Sequence, residues 1–154
     1  MERIEFTSKH PSETIAIGEH IGKGASVGDL FLLFGELGAG KTQLVKGLAK
    51  GIGVEEWLYV LSPSFTLMNI YEGKGKDLCH VDLYRLDETD VEGLDIEEFL
   101  GRGIVAIEWA ERFTSWQGPI RIYLRATGEE MRTIVMEVED AGRAEVWRHF
   151  GGLT

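Results

Sequence analysis

Apolar and polar positions along this chain follow two periods, and the changes between them mark its elements. Leu30-Phe31-Leu32-Leu33-Phe34 is an unbroken apolar run, as expected of a strand buried on both faces. Gly103-Ile104-Val105-Ala106-Ile107 is another, ending at Glu108-Trp109. Ile120, Ile122, Leu124 and Ala126 alternate with Arg121, Tyr123 and Arg125, the period-two pattern of a half-exposed strand. Gly128-Glu129-Glu130 then turns into a partner strand over Arg132 to Val138. Phe65 to Tyr71 and Leu78 to Tyr84 read as two further strands around the glycine-rich hairpin loop Glu72 to Asp77. Ile4 and Phe6 alternate with charged residues in a short, edge-like strand.

Helical spacing appears between these runs. Thr14 to Lys23 places Ile17 and Ile21 on one face, after a break at His10-Pro11 in which Ser12 is the expected N-cap. Thr42 to Lys50 carries Leu44, Val45, Leu48 and Ala49 as a stripe, and Gly51 and Gly53 are expected to close it. Trp57 to Val60 reads as a short strand or a loop anchor. The acidic stretch Leu86 to Leu100 reads as one or two short helices with Gly93 as a weak point, and Ala141 to Phe150 as a terminal helix. Strands that alternate with helices, and a hairpin in their midst, predict an α/β fold: a three-layer arrangement with a mixed parallel and antiparallel sheet flanked by helices. The 154 residues are expected to form one domain, 1–154.

Composition narrows the setting. No apolar run approaches the roughly 20 residues of a membrane span. The N-terminal residues lack the apolar core of a signal peptide, so the expected compartment is the cytoplasm. A lone cysteine, Cys79, excludes an internal disulfide and the usual structural zinc sites. The formal net charge is −10, which repels phosphate backbones at long range, so most of this surface is not expected to grip nucleic acid directly.

Against that acidity stands one phosphate-seeking stretch, Gly35-Glu36-Leu37-Gly38-Ala39-Gly40-Lys41-Thr42. It fits Gly, four residues, Gly-Lys-Thr, the P-loop or Walker A pattern. Glycines let successive N–H groups turn inward as an anion nest. The lysine ammonium reaches the β- and γ-phosphates of a nucleotide, and the threonine hydroxyl ligates Mg²⁺. An apolar strand before the loop and a helix after it supply the context that the pattern needs. Such a site also needs a carboxylate at the end of a neighbouring strand. Glu108 ends the run Ile104–Ile107, and Asp82 follows Leu78-Cys79-His80-Val81, so two positions qualify. His80 lies two residues before Asp82 and points to the same face of its strand, as a core histidine or a functional one. Arg85 either neutralises phosphate charge or pairs with the acidic stretch beyond it. Ser62, Ser64 and Thr66 follow the P-loop helix, where P-loop switches sense the γ-phosphate; ordinary turn hydroxyls are the alternative.

These motifs together resemble the TsaE family, also called YjeE, small bacterial ATPases required to make threonylcarbamoyladenosine in tRNA. The resemblance rests on Gly35–Thr42, on Ser62-Pro63-Ser64-Phe65-Thr66-Leu67, on His80-Val81-Asp82-Leu83-Tyr84-Arg85-Leu86 and on Ile107-Glu108-Trp109, in that order and spacing. Glu36 stands where the family usually has Asp, and Ser64 where it has Thr. Backbone N–H groups bind the phosphates and Ser64 keeps its hydroxyl, so neither departure removes a role. The resemblance implies ATP and Mg²⁺ as cofactors, with the metal held by Thr42 and Glu108 and Asp82 nearby. It implies that Lys41, Asp82 and Glu108 serve catalysis, and that Arg132 joins residues 35–42 in holding the nucleotide. From the residues alone, Arg132 reads as a surface arginine beside Glu129 and Glu130. It further implies two protein partners, TsaB and TsaD, with tRNA engaged only indirectly.

Other classes give different expectations. A P-loop small-molecule kinase needs an arginine-bearing lid and an acceptor pocket, and no arginine cluster stands in a lid-like loop. A nucleotide-dependent binding module would show negligible hydrolysis with or without partners. A GTPase would carry an Asn-Lys-x-Asp element, which the chain lacks.

Overall fold

In the computed structural model the described residues are 1–36, 38–61, 68–83, 95–109 and 118–150. The strands are β1 (Glu2–Ser8), β2 (Leu30–Phe34), β3 (Met68–Glu72), β4 (Asp77–Asp82), β5 (Gly103–Glu108), β6 (Ile120–Ala126) and β7 (Arg132–Val138). The helices are α1 (Pro11–Gly24), α2 (Lys41–Ile52), α3 (Ile96–Leu100) and α4 (Ala141–Arg148), with a 3₁₀ turn at Trp57–Tyr59.

Among the described residues the strands form one sheet in the order β1-β7-β6-β2-β5-β4-β3. Its centre is parallel: β2 pairs with β5 and with β6, and β5 pairs with β4. Its margins are antiparallel: β3 against β4, β6 against β7, and β7 against β1. The expected mixed sheet is therefore present, and both expected hairpins set its margins. The expected edge strand at Ile4 and Phe6 is β1.

Alternation along β2 divides the core. Phe31 and Leu33 join Ile17 and Ile21 of α1, Leu44 and Leu48 of α2 and Trp147 of α4 in one apolar cluster. Leu30 and Leu32 point the other way and meet Val81, Val105, Ile107 and Ile96 of α3. This is why β2 and β5 read as unbroken apolar runs: both of their faces are covered. Cys79 is buried on β4, and burial pushes its thiol up to about 11, so it stays protonated and inert.

Glycines set how the helices on the α2 face pack. A Cβ at Gly18 would lie 2.3 Å from the Leu44 carbonyl oxygen, and one at Gly47 would lie 2.2 Å from that of Ile15. The α1 and α2 backbones thus touch, and any side chain at the crossing would force them apart. Gly51 belongs to this crossing, since its Cβ would lie 2.3 Å from the Glu19 carbonyl oxygen. It does not close α2; Gly53 does, in the left-handed region at φ 99°, with its N–H donating to the carbonyls of Ala49 and Lys50. Nor is Ser12 the cap of α1. His10 takes that place, Pro11 stands at the first helical position, and the Ser12 N–H donates to His10 Nδ1. Of the two readings for Trp57–Val60, the observed 3₁₀ turn favours the loop anchor. Residues 65–67 and 84, the outer ends of two expected strands, and residues 86–94, with Gly93, lie outside the described residues.

Candidate functional site

The site forms where the central strand meets its helix. β2 ends at Phe34, whose ring stacks on Tyr123 of β6 with centroids 4.9 Å apart. The chain then turns through the glycine loop, and the Ala39 N–H donates to the Glu36 carbonyl. Gly38 and Gly40 adopt φ of 82° and 101°, values that L side chains rarely take, and Gly40 is the residue from which α2 starts. Glu36 and Gly38 are exposed, Ala39 is buried, and Thr42 is half-buried in the first turn of α2.

Lys41, the first residue of α2, is only 5% exposed. Its ammonium donates to the Gly35 carbonyl and lies 3.5 Å from the centroid of the Trp109 ring, within cation–π range. Trp109 holds φ 60°, the one left-handed non-glycine among the described residues. A bulky residue in that region stores strain, which is characteristic of functional sites.

Two carboxylates complete the floor. Glu108 ends β5, the strand beside β2, and stands opposite Leu33 in the register. Asp82 ends β4 one strand further out, directly opposite Glu108. Both are buried, at 3% and 6% exposure. Ala106 and Leu78, two and four residues earlier on their strands, belong to the cluster packed against α2, so Glu108 and Asp82 face the side from which α2 begins. His80 shares that face, is fully buried, and bonds the Glu108 carboxylate through Nε2. The sequence places His80 and Asp82 on one face of a strand, but not beside Glu108, which is 28 residues away.

Arg132 approaches from the opposite flank. It opens β7, and its guanidinium donates to the carbonyls of Gly128, Glu129 and Met131 in the β6–β7 turn. It also donates to the Gly38 carbonyl at 3.1 Å, so this arginine ties the turn to the glycine loop. Leu37, Ser62, Ser64 and Thr66 lie outside the described residues, as do Tyr84 and Arg85.

The candidate donors, Thr42, Asp82 and Glu108, are chemically of one kind. A threonine hydroxyl and two carboxylates are hard oxygen ligands, which suit Mg²⁺. Among the described residues no cluster of three His, Cys, Asp or Glu side chains forms a metal cage. Mg²⁺ takes one or two carboxylates and completes its shell with water and phosphate oxygens, so the residues present fit that ion.

A central strand, a glycine turn and a helix within a mixed sheet define a P-loop type of α/β fold. The family profile described as "Threonylcarbamoyl adenosine biosynthesis protein TsaE" matches residues 8–134, and the chain belongs to that family. It is 36% identical over 137 residues to the tRNA threonylcarbamoyladenosine biosynthesis protein TsaE of Bacillus subtilis, covering 87% of this chain and 85% of the relative. It is 44% identical over 117 residues to the protein of that name from Nostoc, covering 73% and 70%. With the Aquifex aeolicus protein of that name it shares 43% identity over 108 residues, covering 70% and 77%. The crystal structure of Bacillus subtilis YdiB superposes with a TM-score of 0.75 at 26% identity, covering 94% of this chain and 91% of that one.

Proposed function

We propose that this chain is a Mg²⁺-dependent ATPase subunit that acts in the cytoplasm with TsaB and TsaD to form threonylcarbamoyladenosine in tRNA. Its family and the names of its relatives support the pathway. One observation carries the chemistry: the start of α2 and the acidic ends of β5 and β4 meet on one face of the sheet. No helix among the described residues is long and apolar enough to cross a membrane.

The roles follow from position. N–H groups of residues 35–42 line the phosphates, aided by the positive end of α2. Lys41 leaves the Gly35 carbonyl and the Trp109 ring to meet the β- and γ-phosphates. Thr42 and Glu108 would hold Mg²⁺, which when bound would neutralise charge developing on the phosphates. Asp82, opposite Glu108, orients the attacking water from the far side of that carboxylate pair. Arg132, already bonded to the loop, borders the nucleotide on its β7 flank. Of the two sequence readings for Ser62, Ser64 and Thr66, this function takes the one in which they sense the γ-phosphate.

Glu108→Gln tests the assignment. The change removes a charge whose interaction strengthens as the γ-phosphate reacts, so turnover should fall about 10²-fold while ATP affinity changes far less. Calorimetric titration with ATP and a steady-state assay on one preparation measure both. Equal losses, or none, would remove Glu108 from the reaction. For the partners, turnover should rise when TsaB and TsaD are added, and capture by them should be stronger with a non-hydrolysable ATP analogue than with ADP. Association that ignores the nucleotide, with unchanged turnover, would leave a plain scaffold.

A further inference from the structure

One buried polar group, His80, neither holds the nucleotide nor stands among the candidate metal donors. His80 lies inside β4 at 0% exposure, and its two ring nitrogens differ. Nε2 meets the Glu108 carboxylate, whereas Nδ1 is the one buried side-chain nitrogen or oxygen without a hydrogen-bond partner among the described residues. Buried polar atoms are nearly always paired, and an unpaired one costs free energy. A histidine kept only for packing at this position would be replaceable by an apolar residue of similar volume, with no unpaired nitrogen left behind.

Register explains how the contact arises. His80 stands opposite Ala106 on β5 and Asn69 on β3, while Asp82 stands opposite Glu108. His80 must therefore reach diagonally, two residues along the neighbouring strand. Ala106 is small enough to let the ring lean that way. Because Nε2 faces a carboxylate oxygen, it is the nitrogen that carries the hydrogen.

We propose that His80 is a positioning residue: its Nε2–H holds the Glu108 carboxylate in the orientation from which it binds the divalent cation. This rests on Glu108 being a cation ligand, as proposed above. Outer partners of metal ligands characteristically alter cation affinity by about 10–100-fold when removed. His80 would act through Glu108 and need not touch the cation or nucleotide.

Glutamine and asparagine separate this role from packing. The glutamine amide nitrogen reaches about where Nε2 lies, and the asparagine amide stops near Nδ1. Mn²⁺ affinity of the protein–ADP complex, measured by electron paramagnetic resonance, reads the cation site without turnover; melting temperature reads the fold. His80→Gln should bind Mn²⁺ within about threefold of the parent chain, and His80→Asn about 10-fold more weakly. In a Glu108→Gln background His80→Asn should have no further effect, because the coupling passes through that carboxylate. The proposal is overturned if the two variants bind Mn²⁺ alike, or if His80→Asn lowers only the melting temperature. Should Glu108→Gln alone leave Mn²⁺ affinity unchanged, the metal role of Glu108 falls first and the role of His80 falls with it. Normal weakening in Glu108→Gln without the glutamine–asparagine difference defeats the His80 proposal alone.

Discussion

Among the described residues four helices begin, and they begin in two different ways. At α1, His10 accepts from the Ser12 N–H, and Glu13 lies in the first turn. At α3, Asp95 accepts from the Glu98 N–H. At α4, Asp140 accepts from the N–H groups of Gly142 and Arg143, at 2.8 and 3.2 Å. These three starts are satisfied by their own side chains. The start of α2 is built oppositely: Gly40 has no side chain to cap it, the first turn carries no acid, and a buried lysine occupies the first position. A cation at a helix N-terminus opposes the helix dipole. The far end of α2 has no such conflict, being sealed by Gly53. Of the four helix starts among the described residues, this is the one that no side chain caps, and there an anion would meet both the N–H groups and the dipole.

The sharpest way to break this comparison is Lys41→Ala. It removes the cation at that helix N-terminus and the proposed phosphate contact in one step. Turnover should fall about 10²–10³-fold and ATP binding should weaken, as a steady-state assay and calorimetric titration would measure. Wild-type turnover by this variant would take the loop out of the mechanism.

A second break acts on what holds α2 in place. At the α1–α2 crossing the two backbones touch through Gly18, Gly22, Gly47 and Gly51. Gly47→Val inserts a branched side chain where a Cβ already meets the Ile15 carbonyl. Overpacking of this kind costs about 3 kcal/mol, or roughly 6–12 °C in melting temperature for a chain of this size. Turnover at low temperature should drop as well, because the helix that carries Lys41 and Thr42 must move. A variant with normal stability would show that the crossing yields easily.

That crossing also shows where the sequence was legible. The glycine turn could be read because its motif lies in eight consecutive residues, and β2 and β5 because burial on both faces leaves an unbroken apolar run. Glu108 and Asp82 could be named because each ends a strand. The pairs Gly18/Gly22 and Gly47/Gly51 were readable in principle, since residues four apart share a helix face. Gly51 lies two residues from Gly53, the true stop, and in sequence the two look alike. His10 does not read as a cap, because histidine is not among the residues that favour that place, although Pro11 marks the start. The His80–Glu108 contact depends on the β4–β5 register, and the Trp109 ring beneath Lys41 on a backbone angle that favours glycine. Neither is a property of a local stretch, so no periodicity announces it.

The smallest effect is expected where a start is capped conventionally. Asp140→Ala deletes the acceptor for two N–H groups of α4, a loss of about 1 kcal/mol, or roughly 2–4 °C. Arg143 belongs to the same turn, and its guanidinium pairs with Asp29 at 2.7 and 2.8 Å, just ahead of β2. That ion pair ties α4 to the strand leading into the glycine loop, so a loosened cap has a route toward the site. The route is short but stiff: the Asp29 N–H donates to the Ser26 carbonyl, and its own carbonyl accepts from Val105. Trp147 remains fully buried against Phe31, with ring centroids 6.4 Å apart. Packing should therefore hold α4 in register after the cap is lost, leaving ATP affinity unchanged while the melting temperature falls. Thermal melts with and without ATP measure both quantities on one sample. A parallel loss of nucleotide affinity would mean that the capped and uncapped helix starts are coupled through Arg143 and Asp29, and the contrast between them would then be one of degree.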